Sequence, residues 1–157
     1  QGQDMGLVSE AGMPAIADPG SSVVRAAHDL GVQVVPLTGP SSLMLALASS
    51  GLNGQNFAFV GYLPQDAGER TQRIRELESL ALKTGQTQIF IETPYRNAAL
   101  LGALLQTMNG NTRLALSCGL TLEAAWSRSA LVSAWKSRRE EKPAPPLGLP
   151  TVFCIGR

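Results

Sequence analysis

Cysteine and histidine are scarce in this chain of 157 residues, which has two of the first and one of the second. Cys118 and Cys154 lie in separate short apolar runs, no CxxC pair exists, and His28 stands alone, so the sequence offers no zinc set. The two cysteines read as buried free thiols of a cytosolic protein rather than as a disulfide. Charge is also sparse. Charged residues make up 16% and the net charge is +1, which gives no field that would draw nucleic acid, a membrane or an acidic partner. Contact with RNA would need a local patch. No apolar stretch approaches the ~20 residues that span a bilayer, and the longest, residues 43–48, is the size of a core helix. There is no signal-peptide pattern and no initiator methionine. Gln1-Gly2-Gln3-Asp4 leads almost at once into a core-type strand, the opening expected of a chain whose first elements lie upstream.

What the chain does have is 44% hydrophobic residues, with sixteen glycines and ten prolines set at the ends of apolar runs. That is the punctuation of an α/β protein with many tight turns. The length fits one medium domain or two small ones, either with a sizeable core. Residues 5–9 predict a short buried strand, and Asp18-Pro19 predicts an N-cap followed by proline at the first helical position. The helix should run to about Leu30 with Val23, Val24 and Ala27 facing inward, closed by Gly31. Residues 32–35 predict the next strand, and Ser41 the start of an apolar helix ending at Ser50-Gly51. Strand, helix, strand, helix in this order predicts a parallel sheet with covering helices.

Gly51-Leu52-Asn53-Gly54-Gln55-Asn56 combines turn residues with a drop in hydrophobicity and marks the expected boundary between lobes 1–54 and 55–157. A second series follows: strand 57–62, amphipathic helix 68–83, strand 88–92, helix 94–108 and strand 113–118. Residues 121–128 are expected to pair beside that strand. A short helix over 130–138 and a last strand over 151–155 close the series, separated by the proline-rich loop 142–150.

Three loops follow predicted strands, where open α/β sheets place ligands. Residues 9–20 could admit a ligand to the backbone and a helix N-terminus, or be a tight connection with an N-cap. Pro36-Leu37-Thr38-Gly39-Pro40-Ser41-Ser42 could cap the next helix or offer hydroxyls to a polar ligand. Glu92 and Arg96 in the third loop could form an ordinary local ion pair. His28 reads as a half-exposed helix residue, Trp126 and Trp135 as core or interface, and the mixed-sign run 136–142 as a solvated face.

Val8-Ser9-Glu10-Ala11-Gly12-Met13-Pro14-Ala15-Ile16-Ala17-Asp18-Pro19-Gly20 comes first, then Val34-Val35-Pro36-Leu37-Thr38-Gly39-Pro40-Ser41-Ser42. Phe59-Val60-Gly61-Tyr62-Leu63-Pro64 and Ile89-Phe90-Ile91-Glu92-Thr93-Pro94-Tyr95-Arg96 follow. In this order and spacing the four segments resemble the tetrapyrrole methylase superfamily of S-adenosylmethionine-dependent methyltransferases. The nearest branch looks like the enzymes that methylate a cytidine 2′-hydroxyl in small-subunit ribosomal RNA. The resemblance implies a two-lobed α/β fold with a truncated first lobe, and S-adenosyl-L-methionine folded between the lobes. It implies a cytoplasmic homodimer acting on ribosomal RNA or the small ribosomal subunit, with neither membrane nor metal. Ala11, Gly12, Met13, Ile16, Ser41, Ser42, Thr93, Gly119 and Thr151 match positions that line the cofactor.

The sequence departs from the family pattern at several points. The glycine-rich first loop is absent, Tyr95 replaces a histidine, Ser117-Cys118-Gly119 replaces an Ala-Arg-Glu type stretch, and Leu147-Gly148-Leu149-Pro150 lacks a Lys-Gly-Glu. Methylation of a tetrapyrrole or other small acceptor, and a catalytically silent binding module, therefore remain alternatives. No general base is evident, Glu10 and Glu92 being the nearest carboxylates. The chain in isolation is expected to associate through an open sheet edge and to methylate nothing.

Overall fold

Gly20 and Gly31 delimit the first helix. The structure, a computed structural model, describes residues 2–10, 12–137 and 143–157, which divide into two compact units, Gln1–Ser42 and Leu43–Arg157. In the first, helix α1 spans Ser21–Asp29. It starts two residues later than Asp18-Pro19 predicts, because the Pro19 carbonyl accepts from Ala15 N–H at 3.3 Å and so closes a loop instead of a helical turn. Gly20 takes the N-cap with φ 138°, and a Cβ there would meet Leu7 Cδ2 at 3.0 Å. The helix ends as expected. Gly31 has a left-handed φ of 70°, its N–H donates to His28 O, and Val32 N–H donates to Ala27 O, the paired bonds of a Schellman cap. Of the residues expected to face inward, Val24 and Ala27 are half-buried and Val23 is exposed. His28 is exposed in the last turn of α1.

The strands expected over 5–9 and 32–35 do not form, so among its described residues this unit carries no parallel sheet. Met5, Val8, Val32 and Val35 are exposed. Composition favours strand in both segments, but a strand exists only through a ladder partner, and among the described residues neither segment has one.

The second unit matches expectation closely. Helix α2 (Ser42–Ser50) leads to strand β1 (Phe57–Tyr62), helix α3 (Ala67–Thr84) and strand β2 (Thr87–Glu92). A short 3₁₀ turn, Pro94–Arg96, opens helix α4 (Asn97–Thr107), followed by strands β3 (Arg113–Cys118) and β4 (Trp126–Leu131). Helix α5 (Val132–Ser137) and strand β5 (Thr151–Gly156) complete the series. The strand expected over 121–128 begins only at Trp126, because Thr121, at φ 72°, and the Leu122 N–H to Gly119 O bond hold the preceding residues in a turn. Residues 130–131, expected in a helix, belong to β4, and residues 138–142 lie outside the described residues.

The strands form one mixed sheet in the order β1-β2-β5-β3-β4, with β1 and β2 parallel and the remaining pairs antiparallel. One face carries Phe90, Leu114, Leu116, Phe153 and Ile155 against α3, α4 and α5, with Phe90 and Phe153 stacked at 5.7 Å. On the other face Leu43, Ala46 and Leu47 of α2 pack on Ile89, Ala115, Val152 and Cys154.

The helix periodicity is explicit in α3. Asp66 caps it through Glu69 N–H, Gly85 ends it in the left-handed region, and Ile74, Leu77 and Ala81 are buried at helical spacing. Glu78, on the same face, is buried as well. Its carboxylate accepts from Asn109 N–H at 2.8 Å and from Thr112 Oγ1 at 2.5 Å, which ties α3 to the turn before β3.

Candidate functional site

Strand register brings three loops to one edge of the sheet. Thr151 opens β5 opposite both Glu92, the last residue of β2, and Cys118, the last of β3. The carboxyl ends of β1, β2 and β3 therefore lie together, the placement typical of ligand sites in α/β sheets. Gly119 N–H donates to the Pro150 carbonyl at 2.8 Å, which holds the loop after β3 against the entry to β5. Of the residues that the family resemblance singled out, Thr93, Gly119 and Thr151 are thus brought together.

The β2 end is organised by Glu92. One of its oxygens, Oε1, accepts from Thr93 N–H at 2.7 Å, from Thr93 Oγ1 at 3.2 Å and from Arg96 Nη2 at 2.8 Å. The Glu92 side chain is buried while that of Arg96 keeps 27% of its surface. Burial alone would raise the Glu92 pKa. The hydrogen bonds from Arg96 and the Thr93 amide, with the charge of Arg96, outweigh it and hold the carboxyl below its ordinary value. A carboxylate with these partners is a poor proton acceptor, so its role is to position Thr93 and Arg96. Glu10, the other candidate carboxylate, is exposed.

Asn97, absent from the sequence-based candidates, fastens the opposite side of the edge. Its Nδ2 donates to the carbonyls of Leu147 and Leu149 at 2.9 and 3.0 Å and lies 3.2 Å from Thr151 Oγ1. The Thr151 hydroxyl also reaches Leu149 O and Cys118 Sγ, so it is engaged within the protein. The signal for Asn97 was one polar residue on the face that continues as Leu100 and Leu104. Gly119, at φ 58°, can only be glycine without strain, and a Cβ there would meet Leu149 Cδ1 at 2.7 Å. Neither thiol fits a nucleophile. Burial pushes Cys154 up to about 12. It raises Cys118 as well, with a partial offset from the Thr151 hydrogen bond.

In the first unit the loops 9–20 and 36–42 meet each other. Met13 N–H donates to the Pro40 carbonyl at 2.9 Å, and Ile16 N–H to Met13 O at 3.4 Å. A Cβ at Gly12, which has φ 131°, would lie 2.6 Å from Pro40 O, so glycine is what permits this approach. Gly12, Met13 and Ile16 thereby share one loop cluster with the Pro40-Ser41 turn, and Ser42 opens α2. Ala11 lies outside the described residues.

The cofactor implied by the resemblance is small, rich in donors and carries no net negative charge on its sulfonium-adenosyl portion. At the β2–β5–β3 edge the Glu92 charge is already met by Arg96, and Asn97 Oδ1 is a buried acceptor with no partner among the described residues. Among the described residues no group of histidine, cysteine or carboxylates could hold a metal, and no helix is long and apolar enough to cross a membrane.

A family model described as Tetrapyrrole (Corrin/Porphyrin) Methylases matches residues 1–129. The chain is 40% identical over 120 residues to a protein of Mesorhizobium japonicum named Ribosomal RNA small subunit methyltransferase I, covering 76% of this chain and 40% of that one. A protein of the same name from Vibrio cholerae is 38% identical over 120 residues, with the same coverage. The chain thus spans about 40% of the length of these curated relatives. Among solved structures, the methyltransferase CobJ superposes with a TM-score of 0.56 at 15% identity, over 92% of this chain and 61% of that one. A uroporphyrin-III C-methyl transferase from Thermus thermophilus, complexed with S-adenyl homocysteine, gives 0.50 at 17% identity, over 92% of this chain and 62% of that one. At such identities the two structures speak for the fold.

Proposed function

The chain belongs to the tetrapyrrole (corrin/porphyrin) methylase family, and on that premise we propose that it serves S-adenosylmethionine-dependent methylation of a ribose 2′-hydroxyl in small-subunit ribosomal RNA. The observation that carries this proposal is the 40% identity to a protein named for that class of substrate. When bound, S-adenosylmethionine would supply an electrophilic methyl group to the ribose oxygen, its sulfur keeping the electron pair of the broken bond while the hydroxyl proton goes to solvent.

Ala11, Gly12, Met13, Ile16, Ser41, Ser42, Thr93, Gly119 and Thr151 are proposed to line the cofactor. Most would act through the backbone, since the Thr151 hydroxyl is engaged elsewhere. Glu92 holds Thr93 and Arg96 in place, so the rate would come from holding donor and acceptor at attack distance. The lobes are proposed as residues 1–54 and 55–157. The Asx turn from Gln55 N–H to Asn53 Oδ1 supports a defined connection at that boundary. Action as a homodimer in the cytoplasm completes the proposal.

The test is methyl transfer from S-adenosylmethionine by the gene's complete product, offered small ribosomal subunits and a tetrapyrrole in parallel. Label in the RNA is the expected result. Label in the tetrapyrrole would move the acceptor, and failure to bind the cofactor would remove the proposal altogether.

A further inference from the structure

The strand β1 ends in an irregularity that the cofactor site does not use. Phe59 pairs with Ile89, yet the next pairing is Tyr62 with Ile91, so β1 carries one extra residue in a parallel ladder, where bulges are rare. Gly61, at φ 74°, is the residue that permits it, and open space surrounds its Cβ position. A bulge at a strand end re-aims the following side chain. Here that side chain is Tyr62, which stays 60% exposed at the edge that holds Thr93. Tyr95, two residues beyond Thr93, is 79% exposed. The Arg96 guanidinium lies 5.1 Å from the centroid of the Tyr95 ring, and Tyr62 ends the strand paired with β2, opposite Ile91.

Two exposed rings beside a braced guanidinium have a definite chemical complement. Every nucleobase has a π face that can stack on an aromatic side chain, whatever the sequence. A guanidinium offers a planar fork of donors to a phosphate. The bond from Arg96 to Glu92 uses Nη2 and fixes the plane, and the Arg96 side chain keeps 27% of its surface open beyond that bond. We propose that Tyr62, Tyr95 and Arg96 form a platform for one nucleotide of single-stranded RNA, the base on a tyrosine ring and the phosphate on the guanidinium. The proposal rests on the RNA-acceptor reading above and names the residues that would hold that acceptor beside Thr93.

The test titrates the protein into a fluorescein-labelled single-stranded oligocytidine and follows anisotropy at several salt concentrations. S-adenosylhomocysteine affinity is measured separately by calorimetry. Tyr62→Ala and Tyr95→Ala each weaken RNA binding about tenfold, with an unchanged salt slope because no phosphate contact is lost. Tyr62→Phe and Tyr95→Phe keep the ring and bind as the parent does. Arg96→Lys keeps a cation beside Glu92 but loses the fork, and weakens RNA binding. S-adenosylhomocysteine affinity stays the same in the tyrosine variants. A parent that binds no RNA, or alanine variants that bind like the parent, overturns the platform. A parent that binds RNA through these tyrosines but no S-adenosylhomocysteine leaves the platform standing and sinks the methyltransferase proposal.

Discussion

Replacing Glu92 by glutamine tests whether the β2 end is held by charge or by shape. The substitution keeps the outline and leaves one oxygen able to accept from Thr93 N–H, now 2.7 Å from Glu92 Oε1. What disappears is the negative charge opposite Arg96, 2.8 Å away. Hydrogen bonds to charged groups contribute about 1.5–3 kcal/mol. The guanidinium retains 27% of its exposure, and solvent screening reduces the gain toward that of a surface pair. The expected loss of stability for Glu92→Gln at neutral pH is therefore about 1–2 kcal/mol.

The pH dependence has a determined sign. The folded-state pKa of Glu92 lies below its ordinary 4.5, so unfolding takes up a proton as pH falls between the two values. The stabilisation is fully present above about pH 4.5 and declines as pH drops through the lower folded value. Urea melts of parent and Glu92→Gln by circular dichroism, at a series of pH values from 7 down to about 3, read the difference directly. It should be constant in the neutral range and shrink toward the acid end. A difference that stays constant throughout, or grows on acidification, would refute the charge-based account of this turn.

Bulky replacements test the cofactor proposal: Thr93→Phe and Ser42→Phe should weaken S-adenosylhomocysteine binding by roughly tenfold, or ~1.4 kcal/mol, without lowering the melting temperature. Calorimetry beside thermal melts decides it, and unchanged affinity with unchanged melting removes both residues from the site. Asn97→Ala strips two backbone carbonyls of their donor and should cost about 2–3 kcal/mol. Hydrogen exchange should rise over residues 147–151, and a loss spread evenly over the chain would contradict the local role. Cys118 and Cys154 should resist a thiol reagent at neutral pH in the native protein and react on unfolding, because burial raises both pKa values. Rapid native labelling would place at least one of them near solvent.

The second unit was legible because its signals are local. Strand β1 is a continuous apolar run between turn formers, and α3 begins at Asp66 and ends at Gly85, so pattern and cap agree. Val32-Gln33-Val34-Val35 carries as much strand propensity, yet no ladder forms there, because pairing depends on a neighbour that propensity does not encode. The loop past β2 stood out by its place after a predicted strand, whereas Gly119 past β3 came only from the family resemblance. Neither route led to Asn97 or Glu78. Their partners lie 54 and 34 positions away, at Thr151 and Thr112, and before folding a buried polar residue looks like a lapse in an apolar stripe. The bulge at Gly61 was hidden too, since a single glycine inside a strand pattern marks a bulge only once the partner's register is known.

The edge that gathers Thr93, Gly119 and Thr151 is built from groups that mostly satisfy one another. The Thr151 hydroxyl, the Asn97 Nδ2, the Gly119 N–H and the Glu92 carboxylate all have partners inside the protein. A site of this kind can hold a ligand's shape but has little left with which to move a proton. For the proposed methyl transfer from a sulfonium that is no handicap. The leaving group departs as a neutral thioether and needs no acid, and the remaining demand is alignment of the attacking oxygen, which rigidity at the strand ends serves well. The acceptor must then be chosen elsewhere, by side chains free to touch it. At this edge Tyr62, Tyr95 and Leu122 are large exposed side chains, and of these the two tyrosines carry rings on which a base can stack, which is why substrate choice should follow those two positions more closely than the hydrogen-bonded strand ends behind them.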